Sequence, residues 1–189
     1  MSPRSRVAAL LLTPGASAHR DHSQLVAIDQ AVAPLGVAVE RIDLPRTTAA
    51  PRLIRSVVNA ADALAARAGL PAGRVVLGGR SMGGRMCSMA VSDGWPAAGL
   101  VLVSYPLHPP GRPDRARTAH LPSVHVPCLF VSGTKDAFAA PAELQGATAE
   151  IPETVSHVWL QGADHGLRRQ DGPVAEAVSA WMAHLVAKF

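Results

Sequence analysis

Residues 74–90 constrain the fold of this chain more than any other stretch. They read Arg-Val-Val-Leu-Gly-Gly-Arg-Ser-Met-Gly-Gly-Arg-Met-Cys-Ser-Met-Ala. Val75, Val76 and Leu77 form a short apolar run suited to a strand buried on both faces, whereas Met82, Met86 and Met89 recur at the spacing of one helix face. Ser81 therefore falls at a strand-to-helix corner. Gly79-Arg80-Ser81-Met82-Gly83 is a G-x-S-x-G pattern. At such an elbow the serine takes a strained backbone conformation, and the glycines remove Cβ atoms that would collide where strand and helix cross. Its hydroxyl then points away from the strand's C-terminal end. The helix start leaves unpaired amides beside it, so the N–H of Met82 is placed to meet a developing oxyanion. The competing reading of the pattern is a glycine-rich turn with no chemistry, and the rest of the chain has to decide between them.

The chain of 189 residues is long enough for one well-filled core and short for two, so a single domain spanning 1–189 is expected. Hydrophobic residues make up 48% and charged residues 17%, a globular rather than a disordered balance. No apolar run reaches the roughly 18 residues of a membrane span, and Val7 to Leu12 reads as a buried strand. A cytoplasmic location and no membrane partner are therefore expected. The formal charge is +4, but the arginines are scattered and no basic stripe is interleaved with aromatics, which argues against a nucleic-acid partner. Cys87 and Cys128 lack any motif spacing and read as small buried hydrophobes rather than a disulfide or metal site.

Along the chain, strands are expected at Arg6 to Thr13, Gly36 to Ile42, about Val75 to Leu77, Leu100 to Val103, Cys128 to Ser132 and Val155 to Leu160. Helices alternate with them, from Ser23 to Ala33, from Pro51 to a stop at Gly69, after the elbow, from Pro141 to Ala147 and from Pro173 to about Ala187. Strands alternating with helices, most of the strands continuous apolar runs, predict a parallel sheet covered on both faces. Functional residues should then gather on the loops that follow the strand C-termini. The stretch Tyr105 to Val126, rich in Pro, Arg and His, is the one long irregular connection.

A serine hydroxyl is a weak nucleophile near neutral pH and needs a base that is itself oriented by a carboxylate. Asp136 follows the strand at Cys128, and His165 follows the strand at Val155, so both should project over the edge that carries Ser81. Asp114 in the long loop is an alternative acid, and Asp164 reads as a loop cap. His157 lies inside a strand and His184 on the last helix, positions that suit packing or a solvated face. A second oxyanion donor is expected from the turn after the first strand; Pro14 has no N–H, which leaves the amide of Ala16. His19-Arg20-Asp21-His22 reads as helix capping and loop anchoring rather than a metal cluster, so neither a metal nor a cofactor is expected.

With these residues in view, the chain resembles the short, dienelactone-hydrolase-like branch of the α/β-hydrolase superfamily, the group whose elbow reads Gly-Gly-Arg-Ser-Met-Gly-Gly-Arg. The likeness rests on Thr13-Pro-Gly-Ala, Arg20-Asp-His, Gly78 to Arg85, Ser104-Tyr-Pro-Leu-His-Pro-Pro-Gly, Val131-Ser-Gly-Thr-Lys-Asp and Gly162-Ala-Asp-His. It implies an α/β class chain with a minimal α/β-hydrolase fold: about six mostly parallel strands, helices on both faces and no lid domain. It also implies a Ser81, Asp136, His165 triad without naming a substrate; the leading reading is a serine hydrolase that cleaves a small ester or thioester. Pro14 departs from the commoner His-Gly opening, and serine replaces the cysteine of dienelactone hydrolases proper. Tyr105 and His108 follow the strand after which larger relatives insert a cap, and are expected to line the pocket. Arg80 is a further pocket candidate, able to attract a carboxylate or phosphate; the preferred reading of Arg80 and Arg85 is that they tie down neighbouring loops. A catalytically silent binding or scaffold protein on the same fold is the alternative function, and acyl transfer or peptide cleavage would use the same three residues.

Overall fold

In the computed structural model, which describes residues 8–189, the apolar runs become the strands of one sheet: β1 (Ala8–Thr13), β2 (Val37–Arg41), β3 (Val75–Arg80), β4 (Gly99–Val103), β5 (Cys128–Gly133) and β6 (Val155–Leu160). They lie in the order β2-β1-β3-β4-β5-β6, and every neighbouring pair is parallel. The helices are α1 (Ser23–Val32), α2 (Ala50–Ala68), α3 (Met82–Ser92), α4 (Pro141–Thr148) and α5 (Asp171–Val186). The expected Arg6 start of the first strand lies outside the described residues.

The period of two along each strand divides the core between the two faces of the sheet. Ala9 and Leu11 of β1 join a cluster with Leu53, Val57 and Leu64 of α2 and Met86 and Ala90 of α3. Ala8, Leu10 and Leu12 point the other way, against Leu25 and Ile28 of α1 and Val174, Val178 and Met182 of α5. Both faces are covered, so the inner strands β1, β4 and β5 are largely continuous apolar runs, whereas the edge strands β2 and β6 include Glu40, Arg41, Ser156 and His157. Gly69 takes a left-handed conformation (φ 67°) and closes α2, as the sequence suggested.

The strand order matters for the site. The chain runs from β1 outward to β2 and then returns to the other side of β1 for β3. Loops leaving the C-terminal ends of β1 and β3 consequently diverge and open a crevice between them, the usual ligand position in a doubly wound sheet. Ser81 stands at that point.

The crossing of β3 and α3 is tight enough to depend on glycine. A Cβ on Gly84 would stand 2.7 Å from the carbonyl oxygen of Gly79, and one on Gly83 would strike the carbonyl of Pro14. Gly84→Ala would force α3 away from β3, at a cost of about 1–3 kcal/mol. The melting temperature should fall by roughly 3–10 °C in a circular-dichroism melt. Gly146 in α4 has nothing near its Cβ position, so Gly146→Ala should raise the melting temperature slightly through helix propensity.

Candidate active site

Ser81 sits between the last residue of β3 and the first of α3 with φ 49° and ψ −121°, a conformation L-residues rarely adopt. The surroundings hold it there. Its amide donates to the carbonyl of Val103 at 2.8 Å, extending the β3–β4 ladder, and its carbonyl accepts the amide of Arg85 at 3.1 Å, starting the helix. The side chain is turned away from both elements. Met82 heads the first turn of α3, whose amides have no intrahelical acceptor.

The loops after β5 and β6 are joined to each other by main-chain bonds. Lys135 donates to the carbonyl of Ala163 at 2.9 Å, Thr134 to that of Leu160 at 3.1 Å, and the amide of Gly162 donates to the Thr134 hydroxyl at 2.8 Å. Gly133 makes this possible, because any Cβ there would collide with the carbonyl of Ala163. Two loops separated in sequence thus behave as one platform that carries Asp136 and His165.

On that platform the Oγ of Ser81 lies 2.9 Å from Nε2 of His165, and Nδ1 of His165 lies 3.0 and 2.9 Å from the two carboxylate oxygens of Asp136. Asp136 is 4% exposed. An ionised carboxylate can only accept, so the proton sits on Nδ1, and Nε2 is left to accept from the serine hydroxyl. Phe138 stacks on the imidazole with ring centroids 4.0 Å apart. The carbonyl of His165 is held from the other side by Nη2 of Arg80 at 2.8 Å.

A cavity of about 1170 Å³ opens next to the serine. One wall is the turn after β1, from Gly15 to His19, the other is the loop after β2, from Asp43 to Thr48, and Met82, next to Ser81 in the chain, also lines it. Ala16 therefore shares the cavity with Met82. The sequence reading overlooked the 43–48 wall. Its only signal was topological, a loop following a strand at the sheet's functional edge.

Three expected pocket residues have other work. Tyr105 is fully buried, with its hydroxyl 3.2 Å from Ser88 Oγ and 3.1 Å from His120 Nε2, because the left-handed turn at Ser104 (φ 48°) directs the ring under α3. His108 is 5% exposed and turned to the carbonyl of Pro109 and to Glu143. Hydrogen bonds to Pro109 and then Glu143 raise its pKa against the effect of burial. Arg80 does not line the cavity; its Nε donates to Gln24 Oε1 at 3.0 Å, while Nη2 takes the His165 carbonyl. Gln24 in turn donates to the carbonyls of Gly166 and Leu167, both at 3.1 Å. A buried glutamine on the apolar face of α1 was the clue to this brace. The buried Nε of Arg85 has no hydrogen-bond partner.

The remaining candidates are accounted for locally. Asp114 is exposed and forms a two-pronged pair with Arg112 at 3.0 and 2.8 Å. Asp164 caps its own loop through the amide of Gly166. His157 is stacked between Phe130 and Trp159 and bonded to Thr148. His184 is exposed on the last turn of α5. His22 caps α1, and Arg20 is anchored by Asp43. Among the described residues no group of three or more His, Cys, Asp or Glu side chains could hold a metal ion. Burial pushes the thiols of Cys87 and Cys128 up to about 12, which leaves them inert as nucleophiles. No helix among the described residues is long and apolar enough to cross a membrane.

A parallel sheet with a serine elbow at its switch point, and an acid and a histidine on later strand ends, defines the α/β-hydrolase class. The chain belongs to the alpha/beta hydrolase domain family, whose model matches residues 6–189. Solved structures share the fold at low identity. Est1E from Butyrivibrio proteoclasticus superposes with a TM-score of 0.81 at 15% identity, over 97% of this chain and 90% of that one. The esterase domain of a Rhodothermus marinus protein gives 0.73 at 16%, over 97% and 89%. A thermophilic esterase from Thermogutta terrifontis gives 0.73 at 18%, over 94% and 90%.

The Ser88, Tyr105 and His120 side chains tie the long β4–β5 connection to α3, and Ser88 Oγ lies 2.8 Å from His120 Nε2. Burial, and then the charge of Arg85, push the His120 pKa down to about 4 from 6.5. Between those values the unfolded chain binds a proton the folded chain refuses, so stability falls as pH drops through this window. His120→Gln keeps the hydrogen-bonding capacity without the titration. In urea unfolding at neutral pH and near pH 5 it should lose about 1–2 kcal/mol less than wild type, allowing for the partial exposure of the ring. Equal losses would contradict this assignment.

Proposed function

We propose that the chain is a serine-dependent hydrolase of small esters or thioesters, with Ser81 as nucleophile, His165 as general base and acid, and Asp136 as the group that orients the imidazole. The observation that carries this reading is the unbroken series from Ser81 Oγ through His165 to Asp136, with spacings of 2.9 to 3.0 Å. It rests on the Ser81 conformation as well, the positive φ of 49° at the strand-to-helix corner that a nucleophile elbow requires.

In the first half-reaction Ser81 Oγ attacks the carbonyl carbon while Nε2 of His165 takes its proton. The tetrahedral oxyanion is met by the amides of Met82 and Ala16, each such donor being worth roughly 10²–10³ in turnover. Collapse expels the alcohol or thiol, which leaves with the proton from Nε2. Water then attacks the acyl-serine by the same route in reverse, releasing the acid and restoring Ser81. Asp136 stays ionised and steadies the imidazolium that forms in each step. The chemistry draws on no metal or cofactor.

The cavity along residues 15–19 and 43–48 is open to solvent and favours small or flexible substrates that water can reach after acylation. Two structural neighbours named as esterases, from Rhodothermus marinus and Thermogutta terrifontis, support ester cleavage over a silent binding role. Within the superfamily, the Gly78 to Arg85 sequence favours the dienelactone-hydrolase-like branch, with serine in place of cysteine. Ser81→Ala should lower turnover of p-nitrophenyl acetate by about 10⁶-fold and remove fluorophosphonate labelling while leaving the melting temperature near that of wild type. Retention of turnover and labelling by this variant would refute the proposal.

A further inference from the structure

Phe138 has a position that core packing does not explain. It lies two residues beyond Asp136 and is only partly buried, yet its main chain is fixed at both ends. The amide donates to Asp136 Oδ1 at 2.8 Å, and the carbonyl accepts the amide of His108 at 3.1 Å. The His108 ring lies 3.2 Å from Glu143 Oε2, and that same oxygen accepts the amide of Ala140 at 2.9 Å. This chain of bonds makes residues 136–140 a stiff turn braced against the start of α4. The turn delivers one flat side chain, the Phe138 ring, onto the imidazole of His165 at 4.0 Å with an interplanar angle of 28°.

We propose that Phe138 is a positioning residue for His165, acting both through its ring and through its amide. This rests on the reading of Ser81 as the nucleophile. Hydrogen bonds at Nδ1 and Nε2 set the direction of the imidazole within its plane but resist small tilts out of that plane only weakly. An aromatic face in van der Waals contact removes the tilt on one side, and Arg80 fixes the backbone of the same residue through its carbonyl. The ring also keeps water from one face of the imidazole. When His165 becomes an imidazolium, the π face beside it is attractive to the cation. The Phe138 amide meanwhile supplies Asp136 with a second donor, so the carboxylate cannot rotate away from Nδ1.

Phe138→Leu separates these effects from burial, since it keeps an apolar side chain and the same main-chain bonds while removing the flat face. It should melt near the wild-type temperature, leave KM little changed and lower kcat for p-nitrophenyl acetate by roughly 10- to 100-fold, the scale of a slightly misplaced catalytic group. Its low-field proton resonance from His165 Nδ1 should broaden. Phe138→Tyr restores an aromatic face and should recover both kcat and the sharp resonance. A Leu variant with wild-type kcat and a sharp resonance would overturn the positioning role of the ring, as would a Tyr variant no better than Leu. If wild type turns over esters through Ser81 while Phe138→Leu matches it, only the Phe138 proposal falls. If wild type neither hydrolyses nor labels, the Ser81 reading falls and this one with it.

Discussion

The crossing of β3 and α3 at Ser81 is the constraint on which the site depends. A non-glycine residue with φ near 49° costs free energy, so the conformation persists only because its surroundings over-determine it. The Ser81 amide is committed to β4 and its carbonyl to α3, while Gly79, Gly83 and Gly84 let strand, helix and the end of β1 approach more closely than any Cβ would allow. The side chain has one direction left, toward the crevice between the loops after β1 and β3. Strand order supplies that crevice, because β1 and β3 are adjacent in the sheet although β2 intervenes in the chain.

The partners of Ser81 reach it by a different route. They come from two loops that act as a single body, joined by main-chain bonds at Thr134, Lys135 and Ala163. Around His165 every degree of freedom is assigned to a neighbour: its carbonyl to Arg80, Nδ1 to Asp136, Nε2 to Ser81 and one ring face to Phe138. Arg80 is held by Gln24, which in turn braces the segment following His165. A parallel sheet thus brings residues from α1, β3 and the loops after β5 and β6 into one frame, held by hydrogen bonds among Gln24, Arg80 and the loop carrying His165.

Much of this was legible in the linear text, for physical reasons that also mark where legibility ends. Continuous apolar runs identified most of the strands, since a strand covered on both faces favours apolar residues throughout. Once the sheet was taken as parallel, its C-terminal edge held Ser81, His165 and two candidate acids, Asp136 and Asp114, and the family resemblance favoured Asp136. Side-chain direction in irregular backbone was not legible. Tyr105 follows a strand just as Asp136 does, but the left-handed turn at Ser104 sends it into the core, and nothing in the local residue types marks that turn. The Gln24–Arg80 contact spans 56 positions and joins two polar residues that each have ordinary local explanations. Likewise the 43–48 cavity wall carries no motif, only a place after β2.

The central claim is covalent: an acyl group resides on one particular oxygen during turnover. Rapid mixing of the wild-type chain with p-nitrophenyl acetate, an acid quench and fragmentation mass spectrometry would test it most directly. The account predicts a single acetyl group, on the peptide bearing Ser81, appearing within the first turnover and decaying as substrate is exhausted. Continued release of p-nitrophenol with no acetylated Ser81, or with the acetyl group on another residue, would contradict it.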